Sequence, residues 1–593
     1  MNRDEAINRR LNLVTVALIG VGLVLLARLL SFQFYIDPRT RQTLEDNNQN
    51  RLFQRIEVHP NRGLIYDRNG HLLATNSFEY RVGISPNQIV NRQAIATELA
   101  PLVGMAEDEL YHALEPNADG VFEPYVLLAP RVDFQTGQAI ADLEIDGMVL
   151  EPLPTRMYPQ GPLTAQLVGF FAGADNTKDS RGYYGVEGYY DSLLAGQSKR
   201  ITKSAVPVLD VSDPKASTVR NGISLVLTID RDLQYLAQEV LNNAIERDAT
   251  ATGGTILIMN PRTGEILAMA NYPPFDPNDT SADNYDRARN QAISDIYEPG
   301  SVFKVLTMSI ALDLGTHDLD WTYFDPGCFE GGGRVICNWD RVSHGNPTFA
   351  QVFIQSLNTG TSTIYKEIGP YSIYPKLRDF GIGSPTGIDL EGEAWGILVQ
   401  PGDPSWSEAQ FLTTSFGQGV AVTPLQMLTA VNAVANDGLI MQPHIVIAQI
   451  DGSEIIETRP SASHRPISAE AAHTARDIMV QVMEQDDELV FSFSGYTIAG
   501  KTGTAEIPTP VGYEDAWTPG HSIATFVAFL PADDPVVSVL VKLDRPQGIW
   551  GTKTAAPVFE ELVWRLVVLM EIPPDDLRHQ LEAQGGNPLE REY

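Results

Sequence analysis

Hydrophobic positions along the 593-residue chain fall into one long unbroken run and many short periodic ones. The long run, Leu11 to Ile36, reads LNLVTVALIGVGLVLLARLLSFQFYI, with Arg28 as its only charge, and has the length that spans a bilayer. It continues past Arg28 with no small-x-small cleavage site after a shorter apolar core, so the pattern predicts an uncleaved transmembrane anchor over residues 11–36. Arg3, Arg9 and Arg10 precede it, which places residues 1–10 in the cytoplasm and the rest outside, with Asp37, Arg39 and Arg41 on the far side. The apolar stretch from Leu562 to Met570 is too short for a second span and carries Arg565.

Beyond the anchor the periods shorten. RGLIYDRNGHLLAT (62–75) sets two β-prone runs around Asn69-Gly70, a pair that favours a hairpin with a type I′ turn. Residues from about 85 to 180 mix short helical patterns with Pro and Gly breaks, GYYGVEGYYDSLLAGQ (182–197) is aromatic-rich, and LDVSDPKASTVRN (209–221) reads as a linker, with a boundary at about 215. Leu233, Leu236, Ala237, Val240, Leu241, Ala244 and Ile245 then mark a one-faced helix with Asp230 as its cap. TILIMN and EILAMA flank Pro261 to Gly264 as an antiparallel pair, and strands near Ile523–Leu530 and Val536–Leu543 return late to the same sheet. The fold class is α+β: one membrane helix, a β-rich extended pedestal over 37–215, a domain over 216–571 with an antiparallel sheet flanked by helices, and a loose polar tail over 572–593. No internal repeat is visible.

Composition narrows the choices. A length of 593 residues allows about three or four folding units. A net charge of −33 repels phosphate backbones and excludes nucleic acid as a partner. Two cysteines and ten scattered histidines give neither a disulfide scaffold nor a zinc-binding pattern.

Three short motifs stand in order: Ser301-Val302-Phe303-Lys304, Ser356-Leu357-Asn358 and Lys501-Thr502-Gly503-Thr504. Roughly one Ser-x-x-Lys arises by chance in a chain this long, and Ser212 to Lys215 is such a decoy, broken by Pro214. Ser301 instead follows Pro299-Gly300 and opens VFKVLTMSIALDL, an apolar helix closed by Gly315. A serine there meets unpaired N–H groups and the positive end of the helix dipole. Lys304 shares its face, and desolvation favours a neutral amine that takes the hydroxyl proton. Ser356 and Asn358 lie on a connecting turn between two helical runs, where a hydroxyl relays protons and an amide holds the lysine and a substrate carbonyl. Lys501, Thr502 and Thr504 lie in the strand-like run YTIAGKTGTAEI, suited to a carboxylate, with Gly503 leaving room for another backbone.

Together these motifs match the signature of penicillin-binding proteins and class A β-lactamases. LTIDRDLQ, NPRTGEILAMANYPPFDPN, FGIGSPTGIDLEGE, SFGQGVAVTPLQ and WGTKTAAPVF resemble segments of the class B penicillin-binding proteins, the monofunctional peptidoglycan D,D-transpeptidases. RGLIYDRNGHLLA and GVEGYYDSLLAG resemble their pedestal. The resemblance implies Ser301 as the acylated nucleophile, Lys304 as its base, Ser356 and Asn358 as the proton relay, and Lys501 and Thr502 as the carboxylate site. It gives the oxyanion hole to the N–H groups of Ser301 and Thr504. It further implies stem peptides ending in D-Ala-D-Ala as donors, an amine acceptor, no metal or organic cofactor, inhibition by β-lactams, and a membrane glycan polymerase of the SEDS family in a division complex. Asn358-Thr359-Gly360 and TFVAFLPADDP look closer to the division type than to the elongation type that builds sidewall. A non-catalytic β-lactam sensor or scaffold is the other class of reading, set against three intact motifs and the lack of a His-Glu-x-x-His protease motif. A soluble β-lactamase needs neither tether nor pedestal. A bifunctional enzyme needs a glycosyltransferase motif, for which Glu107-Asp108 is the nearest candidate and is wrongly followed; those acids suit a short solvated helix. Cys328 and Cys337 flank CFEGGGRVIC on the side that permits disulfides, and either a bridge or two free buried thiols fits.

Overall fold

The computed structural model describes residues 3–34, 53–58, 60–172, 180–197, 199–204, 219–248, 250–279, 287–485, 494–510, 512–515, 517–586 and 589. The Ser212 decoy and the boundary near 215 lie outside them.

The chain divides into two compact units. The first, residues 1–60 with 197–221, holds the helix Arg3–Phe34, within which Asn12–Ser31 is long and apolar enough to cross a membrane, and a ribbon pairing Phe53–Val58 with Lys199–Ser204.

The second unit begins with the expected hairpin. Ile65–Tyr66 pairs antiparallel with Leu72–Ile84. The turn is not type I′: only Gly70 of the Asn-Gly pair takes a positive φ, at 83°, while a type I′ turn needs both. The reason is Asp67, whose carboxylate accepts from the Asn69 N–H at 2.9 Å and the His71 N–H at 2.7 Å, opening a wider loop. This hairpin belongs to a seven-stranded sheet. Ile65–Tyr66 also pairs in parallel with Ser224–Leu227, which pairs in turn with Val446–Asp451. On the other side Leu72–Ile84 pairs with Val126–Val132 and Met148–Met157. Glu107–Ala113 is a short helix with its acids in the first turn, as expected of a solvated helix start.

The aromatic segment 182–197 holds a buried charge cluster that no sequence pattern announces. Glu187 is fully buried between Arg62 and Arg156, at 2.6 and 2.8 Å, and Arg62 also reaches Asp191 at 2.9 Å. Burial raises the carboxyl pKa, but the two guanidinium groups outweigh it and hold Glu187 below the usual range. Next to it, Tyr190 donates to Asp389 at 2.7 Å and the Tyr184 N–H donates to Glu391 at 2.8 Å, which gives the acids of the GIDLEGE stretch structural work.

The central sheet has five antiparallel strands: β1 (Gly253–Met259), β2 (Ile266–Tyr272), β3 (Ala499–Glu506), β4 (Ser522–Leu530) and β5 (Val537–Asp544), in the order β2-β1-β5-β4-β3. Both faces are buried, so the strands read as apolar runs. Ala524, Phe526, Ala528 and Leu530 face one core with helices α1 (Arg231–Arg247) and Ala555–Leu569. Val527 and Phe529 face the larger core, which takes in α2 (Lys304–Asp313), Pro424–Ala435 and Ala469–Gln485. Asp230 caps α1 by accepting from the N–H groups of Asp232 and Leu233 at 2.9 and 3.2 Å.

The tail departs from its expectation. Asp575–Ala583 is a helix, not a loose segment. Its Arg578 is only 1% exposed and pairs with Asp533, Asp575 and Glu582, while the Asp575 carboxylate accepts from the Thr497 N–H at 2.6 Å. Its polar composition hid one buried charge: the Arg578 guanidinium lies beneath the partly exposed carboxylates that pair with it.

Candidate active site

The three motifs converge on one cleft of about 580 Å³, lined by Ser301, Ser356, Asn358, Lys501, Thr502, Gly503 and Thr504. Lys304 lies just behind Ser301, fully buried.

The Ser301 segment starts one turn earlier than an α-helix would. Gly300–Phe303 is a 3₁₀ turn leading into α2, and residues three apart eclipse there, so Ser301 and Lys304 share a side. A Cβ on Gly300, whose φ is 57°, would lie 2.5 Å from the Thr504 carbonyl oxygen, so only glycine lets the Ser301 segment touch β3. Gly417 presses on Gly300 from another side, and the Gly300 N–H donates to the Gly417 carbonyl at 3.2 Å. Among the described residues the Ser301 hydroxyl has no hydrogen-bond partner, and it lines the cleft.

Lys304 Nζ instead contacts the Ser356 carbonyl oxygen at 2.7 Å, Asn358 Oδ1 at 2.7 Å and Ser356 Oγ at 3.2 Å. Burial, with Lys501 nearby, holds the Lys304 pKa well below the lysine range. A neutral amine has two protons and one lone pair. The two short contacts accept the protons, which leaves the lone pair toward Ser356 Oγ. Ser356 adopts a positive φ of 54°, a strained conformation for a serine, and it carries both an oxygen and a hydroxyl to the same amine.

Asn358 is itself pinned. Its Nδ2 donates to the Cys337 carbonyl at 2.9 Å, so its Oδ1 faces Lys304. Cys337 ends the hairpin Cys328–Gly331 with Arg334–Cys337, and Cys328 and Cys337 form a disulfide, which settles the two open readings of that pair. Asn338 continues the brace, its Oδ1 accepting from the Thr359 N–H and hydroxyl.

On the opposite wall, strand alternation turns Thr502, Thr504 and Glu506 the same way. Thr504 Oγ1 accepts from the Gly551 N–H at 3.0 Å, and a Cβ on Gly551 would lie 2.5 Å from the Gly503 oxygen. The backbone that Gly503 admits is that of the segment before Ser301: a Cβ on Gly503 would lie 2.9 Å from the Pro299 carbonyl oxygen and 3.2 Å from the Val302 nitrogen. Lys501 Nζ lies 3.2 Å from the Thr502 carbonyl.

Sequence reasoning gave no role to several residues lining the cleft. Trp339 and Trp517 each meet Trp550 edge-on, at 5.8 and 5.1 Å, and Gln418 and Glu506 bond at 3.0 Å. Trp550 and Gln418 lie in WGTKTAAPVF and SFGQGVAVTPLQ, segments noted for their resemblance alone. Glu298 is also new: its Oε1 accepts from the Gly419 N–H at 3.0 Å and the Tyr513 hydroxyl at 3.2 Å, and burial pushes its pKa up to about 7. Among the described residues no group of His, Cys, Asp and Glu is arranged to hold a metal ion.

The family profile described as "Penicillin binding protein transpeptidase domain" matches residues 254–563, and "Penicillin-binding Protein dimerisation domain" matches residues 57–206. Stage V sporulation protein D of Bacillus subtilis is 32% identical, over 94% of this chain and 85% of its own length. Peptidoglycan D,D-transpeptidase FtsI of Escherichia coli is 29% identical, over 94% of this chain and 92% of its own. The crystal structure of penicillin binding protein 3 from Mycobacterium tuberculosis complexed with aztreonam superposes with a TM-score of 0.66 at 27% identity, covering 88% of this chain and 98% of that one. With three motifs closing on one cleft and both domain profiles matched, the chain belongs to the class B penicillin-binding proteins.

Proposed function

We propose that this protein is a serine peptidoglycan D,D-transpeptidase that cross-links stem peptides during septal wall synthesis, and that β-lactams acylate it at Ser301. The observation that carries the residue assignment is the buried Lys304 amine, held by Ser356 and Asn358 behind the unbonded Ser301 hydroxyl. Lys304, with Ser356 as relay, takes the Ser301 proton as Oγ attacks the penultimate carbonyl of a D-Ala-D-Ala terminus. The N–H groups of Ser301 and Thr504 stabilise the oxyanion, and Lys501 and Thr502 hold the terminal carboxylate. The proton passes to the nitrogen of the departing D-Ala, leaving an ester on Ser301. An amine of a second stem attacks that ester, the new amide forms, and a proton returns to Ser301 Oγ.

The reading of the remaining parts follows the same family. Residues 37–215 serve as pedestal and 216–571 as the transpeptidase domain. The helix spanning Asn12–Ser31 anchors the protein with Arg3, Arg9 and Arg10 on the cytoplasmic side, and a SEDS-family glycan polymerase is its membrane partner. The name of the Escherichia coli relative and the Asn358-Thr359-Gly360 sequence support the division role over sidewall growth. A fluorescent penicillin tests the core of this reading: labelling at Ser301 that is lost in Ser301→Ala and kept in Ser212→Ala is expected. Labelling that survives in Ser301→Ala overturns it. A fluorescent fusion at midcell, and not along the sidewall, is expected of the division role.

A further inference from the structure

Strand β3 lies at the edge of the central sheet and continues past the residues that serve a carboxylate. Two positions beyond Thr504, on the same side of the strand, stands Glu506, and its side chain lines the same cleft. Gln418 donates to its Oε2 at 3.0 Å, which fixes the carboxyl's orientation. Two acids stand beside it. Burial and Asp515 raise its pKa, and its charge acts in turn on Glu298, which is 7% exposed and whose Oε2 has no hydrogen-bond partner. Arg334 is the nearby cation, felt together with Glu506 at Tyr513, the neighbour that donates to Glu298. A half-buried carboxyl in a substrate cleft, held by a neutral amide with two acids beside it, is complementary to a cation.

The spacing says which cation. Four residues of extended strand separate Thr502 from Glu506, about 14 Å. A donor peptide lying along β3 with its terminal carboxylate at Lys501 and Thr502 has its third residue from the end about 7 Å back along the strand. A four-carbon side chain ending in an amine covers most of the remaining distance. We propose that Glu506, oriented by Gln418, is a specificity-determining residue that receives a primary ammonium carried by the stem peptide. This rests on the transpeptidase reading above. The ammonium belongs either to the third residue of the donor or to the amine of the acceptor, and one assay set separates the two.

Purified full-length protein is given donor pentapeptides that differ only at the third residue, lysine or norleucine, and D-Ala release is measured for each. Wild type is expected to prefer lysine by tenfold or more, about the size of one charge-assisted hydrogen bond, with the ratio collapsing toward one in Glu506→Gln and inverting in Glu506→Lys. The ratio is internal to each variant, so a loss of folded protein does not imitate the result. In the second arm a donor without an amine is paired with a primary-amine acceptor. A tenfold rise in acceptor KM in Glu506→Gln, with the donor ratio unmoved, assigns the ammonium to the acceptor. If both donors turn over and neither the ratio nor the acceptor KM changes in Glu506→Gln, the proposal is overturned while the transpeptidase reading stands. If wild type releases no D-Ala from either donor and a fluorescent penicillin leaves Ser301 unlabelled, the transpeptidase reading itself has failed, and the role of Glu506 with it.

Discussion

Asn358 donates its side-chain N–H to the Cys337 carbonyl at 2.9 Å, so the amide that holds Lys304 is oriented by a residue locked in a disulfide. The bridge lies outside the chemistry yet fixes one of its hydrogen-bond acceptors. Reducing it, or replacing both cysteines with serine, is expected to slow Ser301 acylation by about tenfold, equivalent to roughly 1.4 kcal/mol of lost positioning, with the fold retained. Second-order acylation rates with and without reductant check this; the double-serine variant must be indifferent to reductant.

Lys304→Arg keeps a positive charge and similar reach but cannot accept the serine proton. Acylation is expected to fall by about a hundred- to ten-thousand-fold. In wild type the rate should rise with pH as Lys304 deprotonates and level off well below the roughly 10.4 of free lysine, because burial depresses its pKa. An arginine variant within a few-fold of wild type would move the base role to the Ser356 hydroxyl.

Glu298 has the opposite sign. Its folded pKa is raised to about 7 from an ordinary 4.5, so its contribution to stability is fully present below the unfolded value and is lost as pH rises through 7. Glu298→Gln preserves the shape without the titration. Wild type should therefore lose up to roughly 3 kcal/mol relative to Glu298→Gln between pH 4.5 and pH 8, read by denaturant unfolding at a series of pH values.

Glu187→Ala removes the carboxylate that Arg156 pairs with and leaves Arg62 with Asp191 alone. A loss of about 3 to 5 kcal/mol is expected, the cost of leaving a buried charge unpaired. Replacing the exposed Glu151, which pairs with Arg81 at the surface, should cost under about 1 kcal/mol. Thermal unfolding of the two variants side by side measures the contrast.

What was legible in the sequence was local. Ser301 and Lys304 are three residues apart, Asp230 sits directly before its helix, and the apolar runs at 253–259 and 523–530 declare strands by composition alone. The convergence of the three motifs was readable only through resemblance, since nothing in a run of residues says that 301, 356 and 501 meet. What stayed hidden is long-range pairing. Glu187 finds Arg62 from 125 positions away, and Gly551 reaches Thr504 across 47. The turn at Asn69-Gly70 was misjudged because a neighbouring aspartate competed for the same N–H groups, and the tail because its arginine finds carboxylates 45 residues earlier.

The short strand Ser224–Leu227 has a further consequence. It pairs with the hairpin of Ile65–Tyr66 and Leu72–Ile84 on one side and with Val446–Asp451 on the other, and four residues later the chain enters α1, which packs on the sheet that carries Lys501. A strand shared in this way couples the hairpin to the central sheet, and the two are expected to melt in a single cooperative step.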